Sequence, residues 1–278
     1  MSIKLGTDDL DALYVGTDAV SKVYLGADEL WPLAPTFEPE DVAGAVACWI
    51  ADDCSAVGDG NALTNWVDRK NSLTVTQGTE ANRPLYRATG IGGQPAVDFD
   101  GANDMLQYVA ADPVSVALSG HVFMVLRPDA VGLQQSPWGS ADHSSNTQQV
   151  QTRVGTGDNL EFFQVNADTH DYIRGNGTIL ANNNYLAEWA STGSAYQLRL
   201  NGTGQSLTQV LGANTGDWFG DTPGRDSFCI GSIRAAVGFD NFFNGKIAML
   251  LVVDGAISAG DRAALHAWVA AKYGITIA

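Results

Sequence analysis

Short stretches of apolar or alternating residues recur along most of the chain, separated by Gly, Asn, Asp and Pro at loop-length intervals. Such stretches are typical of β-strands, and no amphipathic pattern of helical length interrupts them between residues 42 and 257. The stretches are AVACWIA, QPAVDFD, MLQYVA, HVFMVLRP, NLEFFQV, YLAEWAS, YQLRLNG, SFCIGSI and KIAMLLVVDG. The pattern predicts an all-β fold, an antiparallel β-sandwich, rather than a parallel α/β sheet.

One helix is predicted, over residues 258–273. Ser258 is suited to cap its first turn, Asp261 favours the positive helix terminus, and Gly274 ends the run. Its apolar stripe consists of Leu265, Trp268 and Val269. We expect the stripe to pack on the surface of the sandwich, as a structural cover and not as a binding helix.

The first 31 residues repeat a short pattern three times at a period of ten, as IKLGTD, LYVGTD and VYLGAD. In each repeat the apolar residues alternate as in a strand, and glycine supplies a turn. Strands of about three residues bury too little surface to be stable alone. We therefore expect this segment to complete its fold against other subunits, the alternative being a β-meander laid on the main domain of the same chain.

Three prolines, Pro32, Pro35 and Pro39, follow this repeat within eight residues. Proline at such density forms a semi-rigid, extended spacer. The sequence therefore predicts three parts. They are a small N-terminal β-repeat module for assembly or attachment over residues 1–33, a Pro-rich linker over 34–41 and a sandwich domain over 42–278.

Composition and charge exclude several classes of partner. The chain of 278 residues is 45% hydrophobic and contains 31 Gly, which is typical of a soluble globular protein with many turns. No apolar run approaches the roughly 20 residues of a membrane span. The 15 Lys and Arg against 31 Asp and Glu give a net charge of −16. Such a charge repels phosphate backbones and anionic lipids, so we expect neither nucleic acid binding nor membrane insertion.

The three cysteines, Cys48, Cys54 and Cys229, are odd in number and lack the spacing of metal ligands. This pattern favours buried thiols in a reducing compartment over a disulfide framework. The N-terminus also lacks the basic and apolar regions of a secretory signal. The sequence thus predicts a protein that is made and folded in a cytoplasm.

Both ends of the sandwich segment resemble laminin-G-like, concanavalin-A-like jelly rolls of bacterial surface proteins and phage virion proteins. The resemblance spans about residues 42–276. It rests on Trp49 with Asp52, on NWVDRKN, RPLY and GIGGQPAVDFDGANDML, and on the closing FFNGKIAMLLVVDGAISAGDRAALHAWVAAKYGI. The opening repeat is similar to short modules at the start of tailed-phage structural proteins. Together these imply a virion structural protein of the tail fibre, spike or tail-tip type, whose jelly roll binds host-surface glycan.

The resemblance also implies how such a protein is placed. Residues 1–31 would self-associate, as a homotrimer, and dock onto other virion proteins, while the sandwich projects outward on the linker. The protein would assemble in the host cytoplasm and leave in the virion by lysis. A capsid decoration or head-fibre protein without sugar binding is the alternative, and a secreted adhesin or glycoside hydrolase is the third choice.

Catalysis is not expected. Glucanases of this fold place two glutamates on one strand face about 5 Å apart. The glutamates are Glu29, Glu38, Glu40, Glu80, Glu161 and Glu188, and none forms that pattern. The chain also has no G-x-S-x-G, phosphate-loop, dinucleotide-binding or H-E-x-x-H motif.

Two long polar segments, QQSPWGSADHSSNTQ and GANTGDWFGDTPGRD, are the candidate glycan-binding loops. Sugar sites combine an aromatic platform with carboxylates and other polar groups. The candidate residues are Trp138, His143, Trp218, Asp217 and Asp221. A place in the core is the alternative for either tryptophan.

The turn DFDGAND offers Asp100, Asn103 and Asp104 as oxygen ligands for Ca²⁺. Asp and Asn also form turns without a metal, so a purely structural turn is the alternative. We expect no other cofactor.

Overall fold

In a computed structural model of the chain, the described residues are 14–15, 18–19, 23–25, 28–31 and 37–278, except residues 168 and 237. The chain divides into two compact units, Met1–Phe37 and Glu38–Ala278. In the first unit, β1 (Tyr14–Val15) pairs with β2 (Asp18–Ala19), and β3 (Val23–Leu25) with β4 (Asp28–Trp31), both antiparallel. These are strands of the second and third repeats; the first repeat, Pro32 and Pro35 lie outside the described residues.

The second unit is a sandwich of two antiparallel sheets, which confirms the predicted fold class. The nine-stranded sheet runs through β19 (Leu207–Leu211), β15 (Thr169–Gly175), β14 (Leu160–Asn166), β13 (Gln148–Val154), β12 (Gln135–Ala141), β20 (Ser227–Ile230), β10 (Leu106–Val109), β7 (Thr74–Thr76) and β6 (Asn65–Val67). The eight-stranded sheet runs through β18 (Thr203–Gly204), β17 (Tyr196–Leu200), β16 (Tyr185–Ser191), β11 (Gly120–Pro128), β23 (Asn244–Asp254), β9 (Gln94–Asp100) and β8 (Leu85–Ile91), with β5 (Ala45–Ile50) also paired to β23.

The core lies between the two sheets, where alternate residues of each strand point inward. Its largest members are five fully buried tryptophans, Trp49, Trp66, Trp138, Trp189 and Trp218. Along β13 the inward residues are Val150, Thr152 and Val154, whereas the residues between them point to the outer face. The three cysteines are free and buried, as the sequence predicts for thiols that pack in the interior.

The C-terminal helix α1 (Ala259–Tyr273) covers the outer face of the eight-stranded sheet. Its ends match the prediction, because the Ser258 side chain accepts from the N–H of Asp261 and Gly274 adopts a left-handed conformation. Glu188 of β16 accepts from Nδ1 of His121 at 2.8 Å and from Nη1 of Arg262 on the helix. Burial opposes the charge of Glu188, but these two partners hold its pKa below the usual range.

Of the predicted helix stripe, Leu265 and Val269 are buried, and Trp268 is half-buried beside Tyr273. No helix among the described residues is both long and apolar enough to span a membrane.

The outer face of the nine-stranded sheet is covered only in part. A hairpin of β21 (Ile233–Ala235) and β22 (Gly238–Asp240) lies against β12. A Cβ at Gly139 would lie 2.5 Å from Cδ1 of Ile233, so glycine is required for this close approach. Beyond the hairpin, strands β13 to β15 carry polar and aromatic side chains on this outer face.

Candidate functional site on the nine-stranded sheet

The two tryptophans of the predicted glycan platform do not reach the surface. Trp138 and Trp218 are both 0% exposed. The Trp138 ring packs 5.4 Å from the ring of Phe219, and the Trp218 ring stacks 5.4 Å from that of Phe162. The predicted role is therefore wrong for both residues, and the alternative, a place in the core, is what the structure shows.

The first candidate loop is also largely a strand. Residues Gln135–Ala141 form β12, and Ser136 and Ser140 on it donate to backbone carbonyls of the core. His143 lies after the strand, where its Nδ1 is 2.5 Å from Asp226 Oδ2. With Asp142, these two residues place three potential ligand atoms within 4.8 Å of one another. The Asp142 carboxylate, however, already accepts from two neighbouring serines and forms a turn.

Asp217 and Asp221 lie in the second candidate loop, which remains irregular apart from a short 3-10 helix, Phe219–Asp221. Asp221 Oδ2 accepts from the N–H of Trp218 at 2.8 Å, so it caps that helix. Burial, followed by the nearby Asp221 and Asp171, raises the pKa of Asp217. Both side chains are half-buried, and because both tryptophans lie in the core, the predicted five-residue site is not assembled.

The predicted calcium turn is closed by its own hydrogen bonds. Asp100 Oδ1 accepts from the backbone N–H groups of Ala102, Asn103 and Asp104, and Asp104 Oδ2 accepts in return from the N–H of Asp100 at 3.1 Å. Asp104 is buried beside a cavity of about 180 Å³, whereas Asn103 is exposed. The turn is thus explained by backbone chemistry, and calcium binding there stays a prediction.

A different set of polar and aromatic side chains lies on the outer face of β13, β14 and β15. We call these seven residues the polar face. They are Gln149, Gln151, Arg153, Glu161, Phe163, Tyr172 and Arg174. The strand register aligns them in cross-strand rows, since Arg153 pairs with Glu161 and Glu161 with Arg174, while Gln151 pairs with Phe163 and Phe163 with Tyr172.

The first row holds two guanidinium groups and one carboxylate. Arg174 Nε donates to Glu161 Oε1 at 2.8 Å, and Arg174 Nη2 donates to the hydroxyl of Tyr172 at 3.0 Å. Glu161 is 0% exposed, and its other oxygen receives no hydrogen bond from the residues described. The single carboxylate of the row is therefore committed to Arg174.

Arg153, on the other side of Glu161, turns along its own strand instead. Its guanidinium carbon lies 3.9 Å from the centre of the Phe163 ring, a cation–π contact. Its Nε donates to Gln151 Oε1 at 2.8 Å, and Gln151 Nε2 donates to Gln149 Oε1 at 2.8 Å. This ladder fixes the direction of both amides and the plane of the guanidinium.

Sequence reasoning missed the polar face because neither QQVQTRV nor THDYIRG was among the predicted strands. The signal is present in QQVQTRV, where Gln, Gln and Arg alternate with core residues on one strand. What the sequence does not give is the pairing of this strand with LEFFQVN and THDYIRG, which brings Phe163 and Tyr172 beside Arg153.

The comparisons with known proteins show what this chain is similar to. No protein-family model and no curated protein matches it. Among solved structures, it is similar to domain 4 of AbnA, a GH43 extracellular arabinanase from Geobacillus stearothermophilus in complex with arabinotriose, with 17% identity, a TM-score of 0.58 and coverage of 79% of this chain and 97% of that one. The shared property is the fold.

A second similar structure is the CBM40 of the Ruminococcus gnavus IT-sialidase bound to α2,3-sialyllactose. It has 11% identity, a TM-score of 0.50 and coverage of 61% of this chain and 95% of that one. The structural neighbours are thus carbohydrate-binding β-sandwich domains, and this chain has their architecture.

Proposed function

We propose that this protein is a glycan-binding protein and that the polar face is its binding surface. The observation that carries the proposal is the contrast between the two outer faces. Helix α1 covers the outer face of the eight-stranded sheet. On the nine-stranded sheet, β13 to β15 instead present Phe163, Tyr172 and Arg174, each half-buried beside a ladder of buried amides.

The chemistry of the polar face suits a sugar. Aromatic rings give a sugar's C–H surface a flat apolar contact, and planar amide and guanidinium groups form directed hydrogen bonds with hydroxyls. The surface is also prearranged, because the cross-strand contacts hold Phe163, Tyr172 and Arg174 before any ligand arrives. The glycan-bound state of both similar structures supports the same function.

We further propose that binding is not followed by hydrolysis. Glu161 and Glu188 lie on different sheets and are 0% and 2% exposed, each held by arginine. A retaining or inverting glycosidase needs two carboxylates flanking one scissile bond. Neither of these glutamates is placed for that role.

The biological setting we propose is a tailed-phage or phage-like virion, with the sandwich as receptor-binding part of a tail fibre, spike or tail tip. It is supported by the N-terminal unit, whose hairpins have only two to four residues per strand and are too short to be stable without further packing. Self-association through residues 1–31, with a trimer as the order, belongs to this proposal. A capsid decoration protein would share this unit but bind no glycan.

The test is a glycan array probed with the full-length protein. We expect binding to a subset of the glycans, which Phe163→Ala reduces at least about tenfold because Arg153 loses the ring that holds its guanidinium in place. The matched control is Trp268→Ala, which removes a half-buried aromatic ring on helix α1. Absence of binding to any glycan, or equal losses in both variants, would contradict the proposal.

A further inference from the structure

The guanidinium group of Arg153 has no anionic partner within ion-pair distance in the part of the chain that the structure describes. No carboxylate of the described residues lies within ion-pair distance of it, and its Nη1 and Nη2 donate to none of those residues. Nevertheless the side chain is only 7% exposed. Charged side chains buried to this degree are normally paired, because leaving water costs the charge its hydration.

The neighbours of Arg153 explain why no carboxylate of the described residues forms an ion pair with it. Its cross-strand neighbour Glu161 is bonded to Arg174 at 2.8 Å, so the row contains one more positive charge than negative. Burial lowers the pKa of Arg153 to about 10, although Glu161, Tyr172 and Asp240 act in the opposite direction. At neutral pH the group therefore keeps its charge, and no carboxylate of the described residues is bonded to it.

The orientation of the side chain is fixed from two sides. Phe163 lies under the guanidinium plane, and Gln151 holds the Nε edge. The remaining edge, with Nη1 and Nη2, is the end that binds a planar carboxylate through two parallel hydrogen bonds. The half-buried ring of Tyr172 lies 5.8 Å from the same guanidinium and offers an adjacent apolar surface.

We infer that Arg153 binds the carboxylate of an acidic sugar, such as a uronic acid, whose ring packs against Tyr172. The inference rests on the proposed glycan binding and names the class of glycan. One carboxylate of the ligand would balance the positive charge of Arg153, since Glu161 is already bonded to Arg174. Because the whole protein carries a charge of −16, the ligand carries isolated carboxylates and is not a dense polyanion.

The experiment uses an array of uronic-acid oligosaccharides, each printed as the free acid and as its methyl ester, with neutral oligosaccharides and heparin beside them. The ester keeps the sugar skeleton and removes the charge. Comparing how the wild-type protein binds the two forms therefore shows whether the carboxylate is recognised. We expect the free acid to bind at least about tenfold more tightly than its ester, and heparin to bind less than the best single acid.

Two variants complete the test. Arg153→Gln should reduce binding of the acid to the level of its ester and leave the ester unchanged. Arg87→Gln removes the same charge from the eight-stranded sheet and should change neither. Equal binding of acid and ester, an unaltered Arg153→Gln variant or a preference for heparin would overturn the inference. Binding of neutral sugars alone would overturn it and leave the proposed function intact, whereas no glycan binding would contradict both.

Discussion

Replacing Asp104 with Asn should make the protein more stable at neutral and alkaline pH. Asp104 is 6% exposed, and its pKa is raised from 3.8 to about 7 by burial, followed by the charges of Asp100 and Asp98. The nearby cation Lys246 does not relieve it, since its Nζ is bound to Asp98 at 2.9 Å and to Asp129 at 2.6 Å. The ionised form of Asp104 is therefore costly in the folded state.

The size of the effect follows from the pKa difference between the folded and unfolded states. About three pKa units at about 1.4 kcal/mol each give up to about 4 kcal/mol. Between pH 3.8 and about 7, folded Asp104 keeps a proton that the unfolded chain releases, so this group lowers the stability as the pH rises. The full cost applies above about pH 7 and is absent below pH 3.8.

The assay is urea unfolding of the wild type and Asp104→Asn at intervals from pH 3.5 to 8.5. At the acid end the variant should have the same free energy of unfolding as the wild type, because an Asn oxygen can still accept from the N–H of Asp100. As the pH rises, the variant should become more stable than the wild type, because it has no carboxylate to ionise. Glu80→Gln, which removes an exposed negative charge, is the control. A stability difference that does not change with pH would refute this reasoning.

The same measurement tests the calcium prediction. If the turn of Asp100, Asn103 and Asp104 binds Ca²⁺, the ion should stabilise the wild type at pH 8. It should not stabilise Asp104→Asn, because calcium binding requires the ionised carboxylate of Asp104. Calcium that leaves the unfolding midpoint of the wild type unchanged would contradict it.

Three further predictions concern packing and assembly. Glu188→Gln should lower the free energy of unfolding by about 3 kcal/mol, measured in urea, because it removes the carboxylate that Arg262 binds beneath helix α1; an unchanged midpoint would contradict this. Trp138→Ala and Trp218→Ala should each cost about 3–5 kcal/mol in the same assay and leave the affinity of the folded fraction for glycan unaltered. Deleting residues 1–31 should leave a folded sandwich that sediments as a monomer, and a truncated protein with the full-length oligomeric mass would show that this segment does not drive association.

The regular elements were predictable because their signals are local. Alternating strands such as QPAVDFD and a helix bounded by Ser258 and Gly274 each carry their own pattern and end signals. Strand β12 was missed because Pro137, Gly139 and its serines are typical of loops. It is a strand because its serine hydroxyls bond to the backbone and Gly139 admits Ile233.

The binding surface could not be predicted from the sequence because it depends on pairing between segments. Trp138 and Trp218 lie in polar stretches that are typical of surface loops, and only the fold shows that both fill the core. Arg153 has no acidic neighbour in sequence. Its excess charge is visible only once the strand register places Glu161 beside it and Arg174 beyond. Local composition cannot report that one carboxylate lies between two arginines and is bonded to Arg174.

A crystal structure of the protein with its tightest-binding array oligosaccharide tests glycan recognition by the polar face most directly. We expect a sugar ring against Tyr172, with its carboxylate on the Nη edge of Arg153 and little movement of β13 to β15. A sugar bound instead at the loop of residues 212–226, or on the eight-stranded sheet, with the polar face empty, would contradict it.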